Sequence, residues 1–96
     1  MAARVERTIT FAVWGPICPG DVEGLCDRVC ALFRAERPDV AICDVQGVEP
    51  DAVTVSALAR LQLGARRAGC QVRLRNASPA LLDLVAFMGL TDVLPE

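Results

Sequence analysis

Histidine, lysine and tyrosine are absent from this 96-residue chain, and its aromatic side chains are three Phe and one Trp. Without His there is no Cys–His zinc site, no Ser–His–Asp or Cys–His nucleophile pair and no imidazole for acid–base work. With Lys and Tyr also missing, and no phosphate-cradling glycine loop, little remains to complete a catalytic set. The five cysteines, Cys18, Cys26, Cys30, Cys43 and Cys70, are odd in number and lack CxxC spacing. No apolar run approaches the roughly 18–20 residues of a membrane span. Residues 1–11 (MAARVERTITF) lack the apolar region and small-residue cleavage site of a signal peptide. The expectation is a cytoplasmic protein with no direct membrane insertion.

What is present is aliphatic. Hydrophobic residues make up 53% of the chain, so with so few rings the core must be Val, Leu, Ile and Ala. A domain of this size buries roughly 60–65% of its unfolded surface, enough for one core without staples. A single domain over 1–96 is expected, with 1–7 a flexible N-terminus. The net charge of −2 argues against general nucleic-acid binding. All ten basic residues are Arg, and Arg60, Arg66, Arg67, Arg73 and Arg75 crowd the second half. They form either a solvated face or a surface for an anionic partner.

Taken in order, residues 8–13 (TITFAV) alternate as a strand, with Ile9, Phe11 and Val13 on one side. Gly15-Pro16 and Pro19-Gly20 break it. Trp14, at the strand end, is expected to pack as a lid on the core. A helix is predicted over 21–34: Val22, Leu25, Cys26, Val29, Cys30, Leu32 and Phe33 recur with helical spacing, and Pro38 forbids continuation. Cys26 and Cys30 share a face and read as small core hydrophobes. Residues 40–45 (VAICDV) read as a strand buried on both faces. Asp44 either accepts loop hydrogen bonds or belongs to a site; the turn marked by Gly47 favours the former.

The densest polar run follows, Glu49, Pro50, Asp51, Thr54 and Ser56, and it leads into a long amphipathic helix. Asp51 is a plausible N-cap. Val55, Leu58, Ala59, Gln62 and Ala65 trace the buried face, with Leu61 beside them, and Gly69 ends the helix. Residues 71–75 (QVRLR) alternate as a third strand. Ser78-Pro79 starts a last helix whose buried stripe is Leu81, Leu84, Val85 and Met88, closed by Gly89. The order is β-α-β-α-β-α, which implies crossover units and an α/β fold: a central, mostly parallel β-sheet with helices packed against it.

From Thr10 to Pro95 the chain resembles the STAS domain family, the small α/β module of bacterial anti-sigma-factor antagonists. Gly15, Pro16 and Ile17 look like that family's first strand exit. Asp44-Val45-Gln46-Gly47-Val48 looks like its D-x-x-G-V strand end. Residues 65–69 (ARRAG) followed by 71–74 (QVRL) look like its helix-to-strand junction, and Ser78-Pro79 with 89–95 (GLTDVLP) like its last helix and tail. The resemblance implies a STAS-like single domain. It also implies a switch in the loop before the second helix, where a D-S-S-G-like motif carries a Ser or Thr phosphorylated by a partner kinase. A phosphate there meets free N–H groups and a favourable dipole, and its charge remodels the docking surface.

Here the motif is degenerate. Counted forward from Asp44 and Gly47, the acceptor falls on Thr54. Counted back from Gly69, Asp51 takes the motif's Asp, Val53 the acceptor position and Thr54 the Gly; this count is preferred because an indel belongs in a loop. The nearest hydroxyls, Thr54 and Ser56, are the candidate phosphoacceptors, and Asp51, Thr54, Ser56 and Arg60 the candidate partner-binding residues. The expectation is a non-enzymatic regulatory protein-binding module. It would dock a serine-kinase anti-sigma factor through 51–56, open to control by phosphorylation. The alternative is an accessory STAS subunit of a bacterial lipid-transport ABC complex, held against the ATPase. No cofactor and no metal is expected. Asp44 and Asp51 read as loop acceptor and cap rather than a catalytic pair, and nucleotide binding at the same loop lacks any P-loop spacing.

Overall fold

The computed structural model describes residues 6–96. The elements follow the expected order: β1 (Thr8–Trp14), α1 (Val22–Glu36), β2 (Val40–Gly47), α2 (Ala52–Arg67), β3 (Gln71–Arg75) and α3 (Pro79–Phe87). A short 3-10 turn over Pro19–Asp21 leads into α1. The flexible start expected for 1–7 lies outside the described residues as far as residue 5. Arg7 is tied down: its N–H donates to Asp39 Oδ2 (2.9 Å) and its guanidinium to Glu36 Oε2 (3.0 Å).

The three strands are parallel, in the order β1-β2-β3. Their register sorts side chains into rows, because strand neighbours alternate between faces. Ile9, Ala41 and Val72 form one inner row, and Phe11, Cys43 and Leu74 the next. Phe33 of α1 meets Phe11 edge-on, with ring centroids 6.0 Å apart. Phe33, Leu58, Leu61 and Leu81 are fully buried over this face. Each such side chain contributes about 1.5–3 kcal/mol through removal from water.

The other face of the sheet differs from expectation. Its rows are Thr8, Val40 and Gln71, then Thr10, Ile42 and Arg73, then Ala12, Asp44 and Arg75. Their side chains are exposed or half-buried, so β2 is buried on one face only. The apolar run came from Val40 and Ile42 lying on the open side between two polar edge strands. Trp14 falls on the same side and is 74% exposed, not a lid on the core. Its ring lies over Gly47, where there is no room for a Cβ. Met88 also departs from expectation: it is exposed, and Leu81 and Val85 are the residues of α3 that are buried.

The helix ends are as local chemistry requires. Asp51 caps α2, accepting from Thr54 N–H at 2.8 Å, and Ser78 Oγ caps α3, accepting from Leu81 N–H at 3.1 Å. At the end of α2 the Cys70 N–H donates to Ala65 O (2.8 Å) and the Gly69 N–H to Arg66 O (3.1 Å), with Gly69 at φ 76. This left-handed closure satisfies two carbonyls that the helix leaves free. Gly64 lets α1 approach α2: a Cβ there would collide with Cys30 Sγ.

Candidate functional site

The polar stretch singled out above runs from the loop at Glu49 and Pro50, through the cap Asp51, into the first turns of α2. With Asp51 as N-cap, Thr54 stands one turn before Leu58, and the two point the same way. Thr54, Leu58, Leu61 and Ala65 are all fully buried. Among the described residues, Thr54 Oγ1 has no hydrogen-bond partner. Two residues on, the helix has turned its other side outward. Ser56 and Arg60, four apart, are both exposed.

Ser56 and Arg60 line a groove of about 280 Å³ between the first turns of α2 and the start of α1, with Ala52, Val53, Pro19 and Val22. The apolar residues make the floor, and the hydroxyl and the guanidinium supply the polar contacts. Burial pushes the Cys26 thiol on α1 above its ordinary value, Arg60 offsets part of that rise, and Cys30, Asp27 and Glu23 add to it. The charge of Arg60 is therefore felt across the helix–helix seam. Cys26 and Cys30 are half-buried along that seam. No group of three or more His, Cys, Asp or Glu among the described residues is placed to hold a metal ion.

Of the four residues nominated from sequence, the fold brings Ser56 and Arg60 together and separates the others from them. Asp51 is occupied as a cap and half-buried, and Thr54 is turned into the core. Asp51 is the cap of α2, with Val53 half-buried and Thr54 buried in its first turn. Asp44 is elsewhere, accepting from Gln46 N–H (3.0 Å) and Asn76 Nδ2 (3.3 Å) at the end of β2. The segment 51–56 read from sequence includes Ala52, Val53 and Ser56; sequence reasoning missed Pro19 and Val22 as groove residues. Nothing local marked either, because both come from the chain at the start of α1 and meet α2 only through tertiary packing.

No protein-family model matches the chain, and no curated protein matches it. Among solved structures it is similar to a sulfate transporter family protein from Wolinella succinogenes. The two are 24% identical, the match covers 91% of this chain and 70% of the other, and the TM-score is 0.68. At that identity the likeness concerns the fold, and the fold is the STAS-like α/β arrangement. No helix among the described residues is long and apolar enough to cross a membrane.

Proposed function

We propose that this chain is a non-enzymatic protein-docking module of STAS type, engaging its partner constitutively through the groove at the start of α2. The observation that carries the reading is the orientation of that helix. It buries the hydroxyl of Thr54 and presents Val53, Ser56 and Arg60 together. An apolar floor with one hydroxyl and one guanidinium fits a protein contact, because a buried apolar anchor supplies affinity and the charge supplies orientation. Such a lasting contact suits the accessory subunit of a lipid-transport ABC complex, with its ATPase as partner. A kinase-type anti-sigma factor is the other partner class the resemblance implies.

A second reading rests on Ser56. It is the hydroxyl in 51–56 that a kinase can reach without opening the helix, and Arg60 one turn on offers a charge-assisted bond to a phosphate. Phosphorylation there would change the charge of the docking groove.

The test combines co-purification from the native host with mass mapping after incubation with ATP and host lysate. Val53→Asp and Arg60→Glu are expected to abolish capture of the partner while leaving the thermal midpoint within a few degrees. Retention of the partner by both variants would falsify the groove as the docking site. An ATPase with its permease supports the transport reading, and a serine kinase supports the antagonist reading. Phosphate on Ser56 supports the switch; phosphate on Thr54 overturns the role given to its burial.

A further inference from the structure

At the other end of the two long helices lies a second concave surface. Phe33, Arg34 and Arg37 line it from α1, and Arg67 and Ala68 from α2; it has a volume of about 360 Å³. A smaller hollow of about 200 Å³ adjoins it, sharing Arg34, Arg67 and Ala68 and reaching Cys30. The arginine excess of the second half is thus divided by the fold. Arg73 and Arg75 go to the open sheet face and Arg60 to the docking groove. Arg67 joins two arginines from the first half of the chain.

No ion pair or hydrogen bond engages the side chains of Arg34, Arg37 or Arg67 among the described residues; the ion pair recorded there is Arg7–Glu36. Arginines near helix ends commonly answer the helix dipole. That accounts for Arg34 and Arg67 one at a time but not for their convergence, nor for Arg37. The two helix ends contribute about half a negative charge each, so three guanidinium groups leave a net of about +2. Arg37 ends α1 in the left-handed region, at φ 47 and ψ 54. Glycine suits that conformation best, and Gly69 and Gly89 take it after the other two helices. At α1 the chain instead holds a long cationic side chain in a strained backbone, and that residue lines the hollow.

We propose that this hollow is a binding site for a phosphate-class oxyanion, held by Arg34, Arg37 and Arg67 over a floor of Phe33 and Ala68. Guanidinium forks match phosphate oxygens two at a time, and a net of about +2 matches the charge of a phosphate monoester near neutral pH. Binding also relieves the mutual repulsion of the three cations. The site stands about 24 Å from the docking groove, by the 1.5 Å rise of a 16-residue helix. It does not depend on the function proposed for that groove.

The experiment is a titration with inorganic phosphate and pyrophosphate at fixed ionic strength, followed by amide shifts and by the thermal midpoint. Saturable shifts centred on Arg37, Arg67 and Ala68 are expected, with a rising midpoint. Arg67→Gln and Arg37→Gly should each weaken binding on the order of tenfold, the loss of one charge-assisted contact. Arg75→Gln, on the open sheet face, should leave it unchanged. Arg37→Gly should also keep or raise the midpoint of the free protein, so its loss of binding cannot be put down to unfolding. Shifts that do not saturate, or that sodium chloride reproduces, would overturn the site, as would equal losses from Arg75→Gln and Arg67→Gln. Sedimentation with phosphatidic acid vesicles separates two sources of the same chemistry. Vesicle binding that pyrophosphate competes away and Arg67→Gln removes assigns a lipid phosphate, whereas pyrophosphate binding without vesicle binding assigns a soluble phosphate compound.

Discussion

Thr54 shows how much hangs on one residue of helical phase. Each step along an α-helix turns a side chain by about 100°, so a register uncertain by one residue cannot say which hydroxyl faces water. The cap at Asp51 was legible because the signal is local: a short acceptor side chain meets an N–H three residues on. The burial of Thr54 was not, because it follows from what α2 packs against. A buried hydroxyl with no partner costs about 1–3 kcal/mol, and Val has nearly the same shape. Thr54→Val is therefore expected to stabilise the domain by about 1 kcal/mol, a rise of roughly 4–8 °C in thermal midpoint for a domain of this size. It should leave partner capture intact. A fall in the midpoint, or loss of the partner from a folded variant, would show that the hydroxyl has a role that its buried setting hides.

At the scale of elements, the free edge of β3 is closed, among the described residues, without another strand. Gln62 of α2 is buried, donates from Nε2 to Val72 O (2.9 Å) and Val93 O (2.7 Å), and accepts from Val72 N–H (2.8 Å). The Leu74 N–H donates to Pro95 O (2.8 Å). One side chain and the tail thus do what a neighbouring strand would do, and the backbone groups of an edge are kept from other chains. Gln62 had looked like part of an apolar stripe, and its spacing was right; its three bonds depend on β3 and the tail passing beside it. Gln62→Met keeps the length and removes all three bonds, leaving buried backbone groups unpaired. The expected loss is about 3 kcal/mol, with faster hydrogen exchange at the Val72 amide. Unchanged protection at that amide would mean that something else closes the edge.

For the whole molecule, the missing residue types set the response to pH. Without His, no side chain at its ordinary pKa changes charge between about pH 6 and 8, and without Lys or Tyr the cysteines are the side chains left to titrate between about pH 8 and 12. Burial pushes the Cys43 thiol from 9.0 up to about 12, with the charge of Asp44 adding to the rise, and burial also raises Cys70 and Cys26. A raised pKa means that above pH 9.0 the folded state holds a proton that the unfolded chain has released. Stability is then full below 9.0 and falls as pH climbs toward about 12. The slope is at most about 1.4 kcal/mol per pH unit for each such thiol. Thermal midpoints in a reducing buffer should be level from about pH 6 to 8 and then decline. Cys43→Val should remove much of the decline; an equally steep fall in that variant would place its origin elsewhere.

The element order, the caps at Asp51 and Ser78, the closures at Gly69 and Gly89 and the buried phase of Leu58 were all present in the sequence. Each is a short-range matter: alternation or helical spacing within one segment, or a side chain meeting backbone a few residues away. The segment that lines one side of the groove, 51–56, was also singled out from its polar density. What only the tertiary structure decided involves partners distant along the chain. The three parallel strands leave one sheet face open, which turns Trp14 outward and exposes one side of β2. The packing of α1 on α2 adds Pro19 to the groove at one end and joins Arg34 and Arg37 to Arg67 at the other. No local pattern encodes these, because they depend on which elements share a core and at what height, and that is settled only when the apolar faces close on one another.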